Sequence, residues 1–282
     1  MTSIGVTVHP TRDVGGPLET LRVWASGHGA RIVQVGGGSQ PEVAPAGDAA
    51  GCELVVTIGG DGTALAGLRA AAPAGRPLLG VACGSLGALT TVSAAGLGDA
   101  LDRFSAGDWH RVSRPALVVR RGDEELLAYN DLALVRAGEG QLRTRVELDG
   151  VLYGRLAGDG LIVSTPVGSS AYTVAAGGPL LAPGTAAFVF TPLPTHGGAI
   201  PPLVVPGDSS LRLEVSAAVN GARLEIDGRQ VGDHEGALEV SLRGEAAILV
   251  GLQAGDPLIT GLRERGVIAD SPRILAEDAR NR

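Results

Sequence analysis

The residues Gly59-Gly60-Asp61-Gly62-Thr63 set a single aspartate among three glycines, directly after the apolar run Leu54-Val55-Val56-Thr57-Ile58. Glycines at the end of a buried strand let a ribose or phosphate approach the main chain. A helix that follows would offer its first N–H groups to an anion, and Thr63 can cap it. A carboxylate beside a phosphate repels it unless the carboxylate holds a metal ion or takes a proton from an attacking hydroxyl. Phosphoryl transfer needs both tasks done. Asp61 is therefore a candidate catalytic base, and Gly59, Gly60, Gly62 and Thr63 are candidate substrate contacts. The competing reading is an Asx-turn, in which Asp61 bonds only to local backbone.

A second constellation runs from Gly158-Asp159-Gly160 through Leu161-Ile162-Val163 to Ser164-Thr165-Pro166-Val167-Gly168-Ser169-Ser170-Ala171-Tyr172 and on to Gly177-Gly178-Pro179. A short apolar strand here delivers a Ser/Thr/Gly turn whose hydroxyls and N–H groups can wrap a polar ligand. Tyr172 can stack on a ring or lend its hydroxyl. Composition alone equally allows a plain β-turn followed by a helix. The chain has no GxxxxGK[ST] and no lysine, so arginine is the available cation for a phosphate donor. Arg143, Arg145 and Arg229 are the candidates, each also readable as surface charge.

Taken together, GGDGT and GDGLIVSTPxGSxAYxxxAGGP resemble the NAD kinase family in order, spacing and length of match, over roughly residues 4 to 255. The resemblance extends to Asn130-Asp131, to Gly80-Val81 with Gly84-Ser85-Leu86-Gly87, and to Pro202-Leu203-Val204-Val205-Pro206 after His196. It implies a Rossmann-like N-terminal domain, a β-rich C-terminal domain, and phosphorylation of NAD on its adenosine ribose 2′-hydroxyl with ATP or polyphosphate as donor. By the same resemblance Asp61 is the base and contacts substrate with Gly62. Asn130 and Asp131 bond the nicotinamide-side ribose, and Asp159, Ser169, Ser170, Ala171, Tyr172 and Ala175 line the site. His196 falls on the family's Pro-His turn. The family implies a homodimer or homotetramer and a need for Mg²⁺ or another divalent cation, brought by the donor phosphates with no protein ligand assigned.

The match departs from the family pattern at several places. Ala82 stands at an Asn position, Ala88 at a Phe position, Asp131 at a Glu position and Ser170 at a Thr position. Ala175 replaces a Ser, and Pro201 stands where an Arg often precedes Pro-Leu-Val. A lost donor costs roughly 1–3 kcal/mol per partner, so several losses together are enough to change substrate. A diverged kinase for another nucleoside or polyol hydroxyl, and a non-catalytic nucleotide-binding protein, are the alternatives.

Elements able to hold these residues follow from periodicity. Ile4 to Val8, Arg31 to Val35, Leu54 to Ile58 and Pro77 to Val81 read as strands, with Pro17 to His28 and the Ala/Leu-rich stretch to about Ala72 as helices between them. That is the βαβ pattern of an open, doubly wound sheet over residues 1 to 110, with ligands expected beyond the carboxyl ends of its strands. From residue 111 to 255, alternating segments spaced by Gly/Asp turns predict a predominantly β domain. Residues 256 to 282 are expected to pack back on the first domain, with a fraying end.

A chain of 282 residues, 44% hydrophobic but only 3% aromatic, has the apolar content for two ordinary cores built of small aliphatic side chains. Its net charge of −7 comes without a basic block, which argues against nucleic acid as a partner. No apolar run has the length of a membrane span and the start lacks the features of a signal peptide, so a cytoplasmic location is expected. Cys52 and Cys83 have no CxxC spacing and read as small buried residues in a reducing compartment.

Overall fold

The computed structural model describes residues 3–37, 40–217, 221–253, 258–264 and 266–280. It divides into two compact units, one of Met1–Arg111 with Leu249–Arg282 and the other of Val112–Ile248. Of the expected closing segment, residues 256, 257, 265, 281 and 282 lie outside the described residues.

In the first unit, parallel strands Arg31–Gln34, Ser3–Val8, Leu54–Gly59 and Leu78–Ala82 lie side by side in that order, and Val92–Ser93 pairs with the last of them. Ser3–Val8, Leu54–Gly59 and Leu78–Ala82 are buried along their whole length. Unbroken Val/Ile/Leu runs form such strands because both faces of the sheet are covered. On one face, Ile4, Val6, Val8, Val56, Ile58, Leu79 and Val81 share a core with Leu18 and Leu21 of helix Gly15–Gly27 and Leu97 and Leu101 of helix Leu97–Ala106. The alternate residues turn to the other face. There a Cβ on Gly67, in helix Asp61–Ala71, would meet the side chains of Thr57 and Leu78.

The second unit is two antiparallel sheets on one core. The first sheet runs Leu203–Pro206, Ala187–Pro192, Gly160–Ser164, Asp131–Arg136, Ala222–Ile226, Arg229–His234. The second sets Val151–Gly158 beside Leu142–Leu148, then Ser210–Ala217, then Gly236–Gly251, with the hairpin His110–Arg121 and Glu124–Ala128 attached. Leu132, Leu134, Leu161, Val163, Phe188 and Phe190 of one sheet share a buried cluster with Leu142, Val146, Leu211, Leu213, Leu238 and Val240 of the other. From Leu249 the strand Gly236–Gly251 counts with the first unit, where Leu249 lies parallel to Leu78. Helix Leu258–Glu264 follows, and it buries Leu258 and Leu262. The fold class is thus an α/β Rossmann-like unit plus a predominantly β unit, as the sequence suggests.

Candidate active site

The strand Leu54–Gly59 ends where expected, and Asp61 opens the helix Asp61–Ala71, with Gly60 as its extended N-cap. The aspartate does not close a local Asx-turn. Its Oδ2 accepts the Ala88 N–H at 3.0 Å and its Oδ1 accepts the Leu89 N–H at 3.0 Å, across to the loop that follows the neighbouring strand Leu78–Ala82. Two N–H bonds, one per oxygen, fix the orientation of the carboxylate. The loop is itself pinned, since Gly87 N–H donates to Thr90 Oγ1 at 2.6 Å. Helix Leu258–Glu264 backs it, for a Cβ on Gly261 would come within 2.7 Å of the Leu86 carbonyl oxygen. Gly59 and Thr63 are buried together, Gly60 and Asp61 are half-buried, and Gly62 is exposed. Ala82 and Ala88 are both buried. Ala88 serves Asp61 through its main chain, so the contact survives whatever side chain stands there.

In the β unit, the Asn130-Asp131 pair and the Ser/Thr turn are built as one piece. Thr165 N–H donates to the Asn130 carbonyl at 2.9 Å. The Thr165 hydroxyl donates to Tyr129 O at 2.8 Å and accepts from Gly168 N–H at 3.0 Å. Gly168 is forced by this packing, because a Cβ there would overlap the Asn130 carbonyl. Ser169 is fully buried: its hydroxyl donates to Pro166 O at 2.6 Å and accepts from Leu181 N–H at 2.9 Å, so it holds the turn closed. Ser170 Oγ donates to Val167 O at 2.8 Å from a half-buried position, whereas Ala171, Tyr172 and Ala175 are exposed.

Asp227 joins this group from far along the chain. It sits at φ 49° with Gly228 at φ 71° in the two-residue hairpin between Ala222–Ile226 and Arg229–His234. Its Oδ1 accepts the Asn130 N–H at 2.7 Å and the Asp131 N–H at 3.4 Å, while its own N–H donates to Asp131 O at 2.9 Å. Asn130 Oδ1 is buried with no hydrogen-bond partner among the described residues, an acceptor that a ligand donor would satisfy. Burial first, then the carboxylates of Asp227 and Glu225, push the Asp131 carboxyl up to about 7. No sequence motif singles out Asp227. Its one signal was the Asp-Gly pair between two alternating segments, which marks a turn and says nothing of what the turn touches.

Asp159 and His196 lie on adjoining segments of the same unit. Gly158 bridges to Thr195, Asp159 N–H donates to Pro194 O at 3.0 Å and His196 N–H to Ala157 O at 2.9 Å. The Asp159 side chain is engaged by Arg136 Nε at 2.7 Å. His196 is exposed and lines a cavity of about 610 Å³ together with Arg143, Arg145 and Arg155. Arg229 is placed apart from them, exposed at the start of its strand. Cys52 is buried and Cys83 half-buried, both free, and burial raises both thiols above their ordinary value. Among the described residues no helix is long and apolar enough to cross a membrane.

Comparison with known proteins bears on the family of the chain. Residues 32–109 match the family model of the ATP-NAD kinase N-terminal domain and residues 129–250 that of the ATP-NAD kinase C-terminal domain. A curated NAD kinase of Acidobacterium capsulatum is 35% identical over 243 residues, which covers 82% of this chain and 85% of the relative. One of Heliobacterium modesticaldum is 40% identical over 185 residues, 63% of this chain and 65% of the relative. Among solved structures, yeast NADH kinase complexed with NADH superposes with a TM-score of 0.79 at 21% identity, covering 96% of this chain and 89% of that one. An Archaeoglobus fulgidus NAD kinase in complex with ATP gives 0.76 at 22% identity, covering 93% and 99%.

Proposed function

Since this chain belongs to the NAD kinase family, we propose that it transfers the terminal phosphoryl group of ATP, or of inorganic polyphosphate, to the adenosine ribose 2′-hydroxyl of NAD to give NADP. The observation that carries the reading is the Asp61 carboxylate, held by two backbone N–H groups at the carboxyl end of an interior parallel strand. A base must present a lone pair to the proton it removes in a fixed direction, and the paired N–H bonds supply that direction before any substrate arrives.

In this reading Asp61 takes the 2′-hydroxyl proton as the oxygen attacks phosphorus. Gly59, Gly60, Gly62 and Thr63 let the ribose lie close to the main chain. Asn130 offers its unsatisfied amide oxygen to a sugar hydroxyl, Asp131 bonds the second hydroxyl of the same ribose, and Tyr172 presents its exposed ring to the dinucleotide. Asp159, Ser170, Ala171, Ala175 and His196 complete the substrate contacts, whereas Ser169 acts by holding the turn. Among the described residues no group of three or more His, Cys, Asp or Glu is placed to hold a metal ion. The family resemblance supports a donor that brings Mg²⁺ or another divalent cation on its own phosphates. The family resemblance further supports a cytoplasmic homodimer or homotetramer.

The test is NADP formation from Mg²⁺-ATP and NAD, read by a coupled dehydrogenase, with tripolyphosphate as a second donor and a panel of nucleosides and polyols as other acceptors. NADP formation that disappears in Asp61→Asn supports the reading. Donor consumption only with another acceptor, or no turnover despite nucleotide binding, refutes it.

A further inference from the structure

The outer face of the second sheet of the β unit carries an arrangement that costs the free protein stability. Arg155 stands directly opposite Arg145 on the neighbouring strand, and Arg143 lies two residues along from Arg145 on the same face. Like charges directly across a strand pair are destabilising, and the diagonal neighbour is only roughly 7–8 Å away. Glu147 meets the charge of Arg145, its Oε1 accepting from Nε at 2.8 Å. Among the described residues Arg143 and Arg155 have neither an ion pair nor a side-chain hydrogen bond. Both residues line the cavity of about 610 Å³ that His196 also lines, and every lining residue belongs to the β unit.

On the side of the neighbouring strand Ser210–Ala217 the lining has the reverse character. Glu214 lies across from Arg145 on the other side, Ser216 lies across from Arg143, and Glu235 lines the cavity beside Gly236. A bare phosphate chain would satisfy the arginines and be repelled by these two carboxylates. A ligand with a phosphate at one end and hydroxyl donors at the other satisfies both walls, since guanidinium is the preferred partner of phosphate and carboxylate accepts from hydroxyl. The volume falls within the range of about 300–1,000 Å³ usual for small-molecule sites.

We propose that this cavity binds a phosphorylated molecule bearing free hydroxyls, a sugar phosphate or mononucleotide, with its phosphate on Arg143 and Arg155 and its hydroxyls on Glu214 and Glu235. Every lining residue belongs to the β unit, and His196 is shared with the substrate contacts named above, so NADP formation is assayed separately.

Titration calorimetry of the full chain with ribose 5-phosphate, AMP and inorganic pyrophosphate, without donor or NAD, tests it. Ribose 5-phosphate and AMP are expected to bind, and the Arg143→Gln/Arg155→Gln double variant to weaken both at least about tenfold. AMP alone binding with that loss identifies a mononucleotide as the ligand. Glu214→Ala reads the other wall independently and is expected to reduce the preference for ribose 5-phosphate over pyrophosphate. The inference is overturned if neither organic phosphate binds, if the double variant keeps the wild-type affinity, if pyrophosphate binds more tightly than both, or if Glu214→Ala leaves the preference unchanged.

Discussion

Gly87 and Asp61 occupy adjoining space that admits no further carbon: a Cβ on Gly87 would overlap Asp61 Oδ1 and Cγ and lie 2.5 Å from Oδ2. The glycine permits the next two N–H groups, of Ala88 and Leu89, to close on the two carboxylate oxygens. A loop after one strand thus sets the direction of an acid at the end of its neighbour, and the two are adjacent because Leu54–Gly59 and Leu78–Ala82 pair in parallel with Gly59 beside Ala82.

Gly87→Ala is therefore expected to turn the Asp61 carboxylate out of its seat while leaving the residue itself in place. A displacement of about 1 Å at a reacting group costs on the order of 10²-fold in rate, so kcat for NADP formation should fall by about that factor. The melting temperature should drop as well, because the buried Ala88 and Leu89 lose the acceptors of their N–H groups, at about 1–3 kcal/mol for each donor left unsatisfied. Wild-type kcat in the alanine variant would show that the seat of Asp61 is irrelevant to turnover.

Asp61→Asn keeps the size and one acceptor but turns an NH₂ toward one of the two N–H donors. One donor is then left unsatisfied at a cost of about 1–3 kcal/mol, and no proton acceptor remains. The expected outcome is a loss of roughly 10²–10⁴-fold in kcat with NAD still bound, measured by steady-state kinetics beside equilibrium dialysis. A variant that loses NAD binding and keeps its residual kcat would assign Asp61 to grip and not to proton transfer.

Much of this was legible in the chain because it is local. The interior strand before Asp61, the glycines around it and the Ser/Thr turn after Leu161-Ile162-Val163 are each contiguous, and periodicity with turn chemistry places them. What could not be read is long-range pairing. Asp227 reaches Asn130 across 97 residues, and the N–H groups that hold Asp61 come from 27 and 28 residues away. In each the donor is a backbone N–H, so no pairing of side-chain types records the contact. Arg155 opposite Arg145 likewise depends on hairpin register, including the irregularity between Leu152 and Gly154. The sequence also offered Ser169 as a substrate contact, and its hydroxyl is consumed inside the turn.

Ser169→Ala tests that assignment. Removing a fully buried hydroxyl that both donates and accepts leaves the Pro166 carbonyl and the Leu181 N–H without partners, at a cost of about 1–3 kcal/mol. A fall in stability of that size by urea titration is expected, with KM for NAD rising only as far as the turn loosens. Unchanged stability with a large rise in KM would move Ser169 back to direct contact with substrate.

Asp131 supplies the last prediction, on pH. Its carboxyl sits at about 7 in the folded chain because burial, then Asp227 and Glu225, disfavour the charged form, whereas in the unfolded chain it returns to about 3.9. Between those values the native state binds the extra proton, so stability falls as pH rises from about 4 to about 7 and is level above. Asp131→Asn is neutral throughout and escapes the penalty. Relative to wild type it should gain on the order of 2–3 kcal/mol of unfolding free energy between pH 5 and pH 8, measured by urea titration at both values so that all other carboxylates cancel. The same proton would govern the ribose contact: the ionised form accepts from two hydroxyls, the protonated form donates. KM for NAD should then change across pH 7 in the wild type and not in the variant. Parallel stability profiles for the two proteins would place the Asp131 titration outside this range and end the argument.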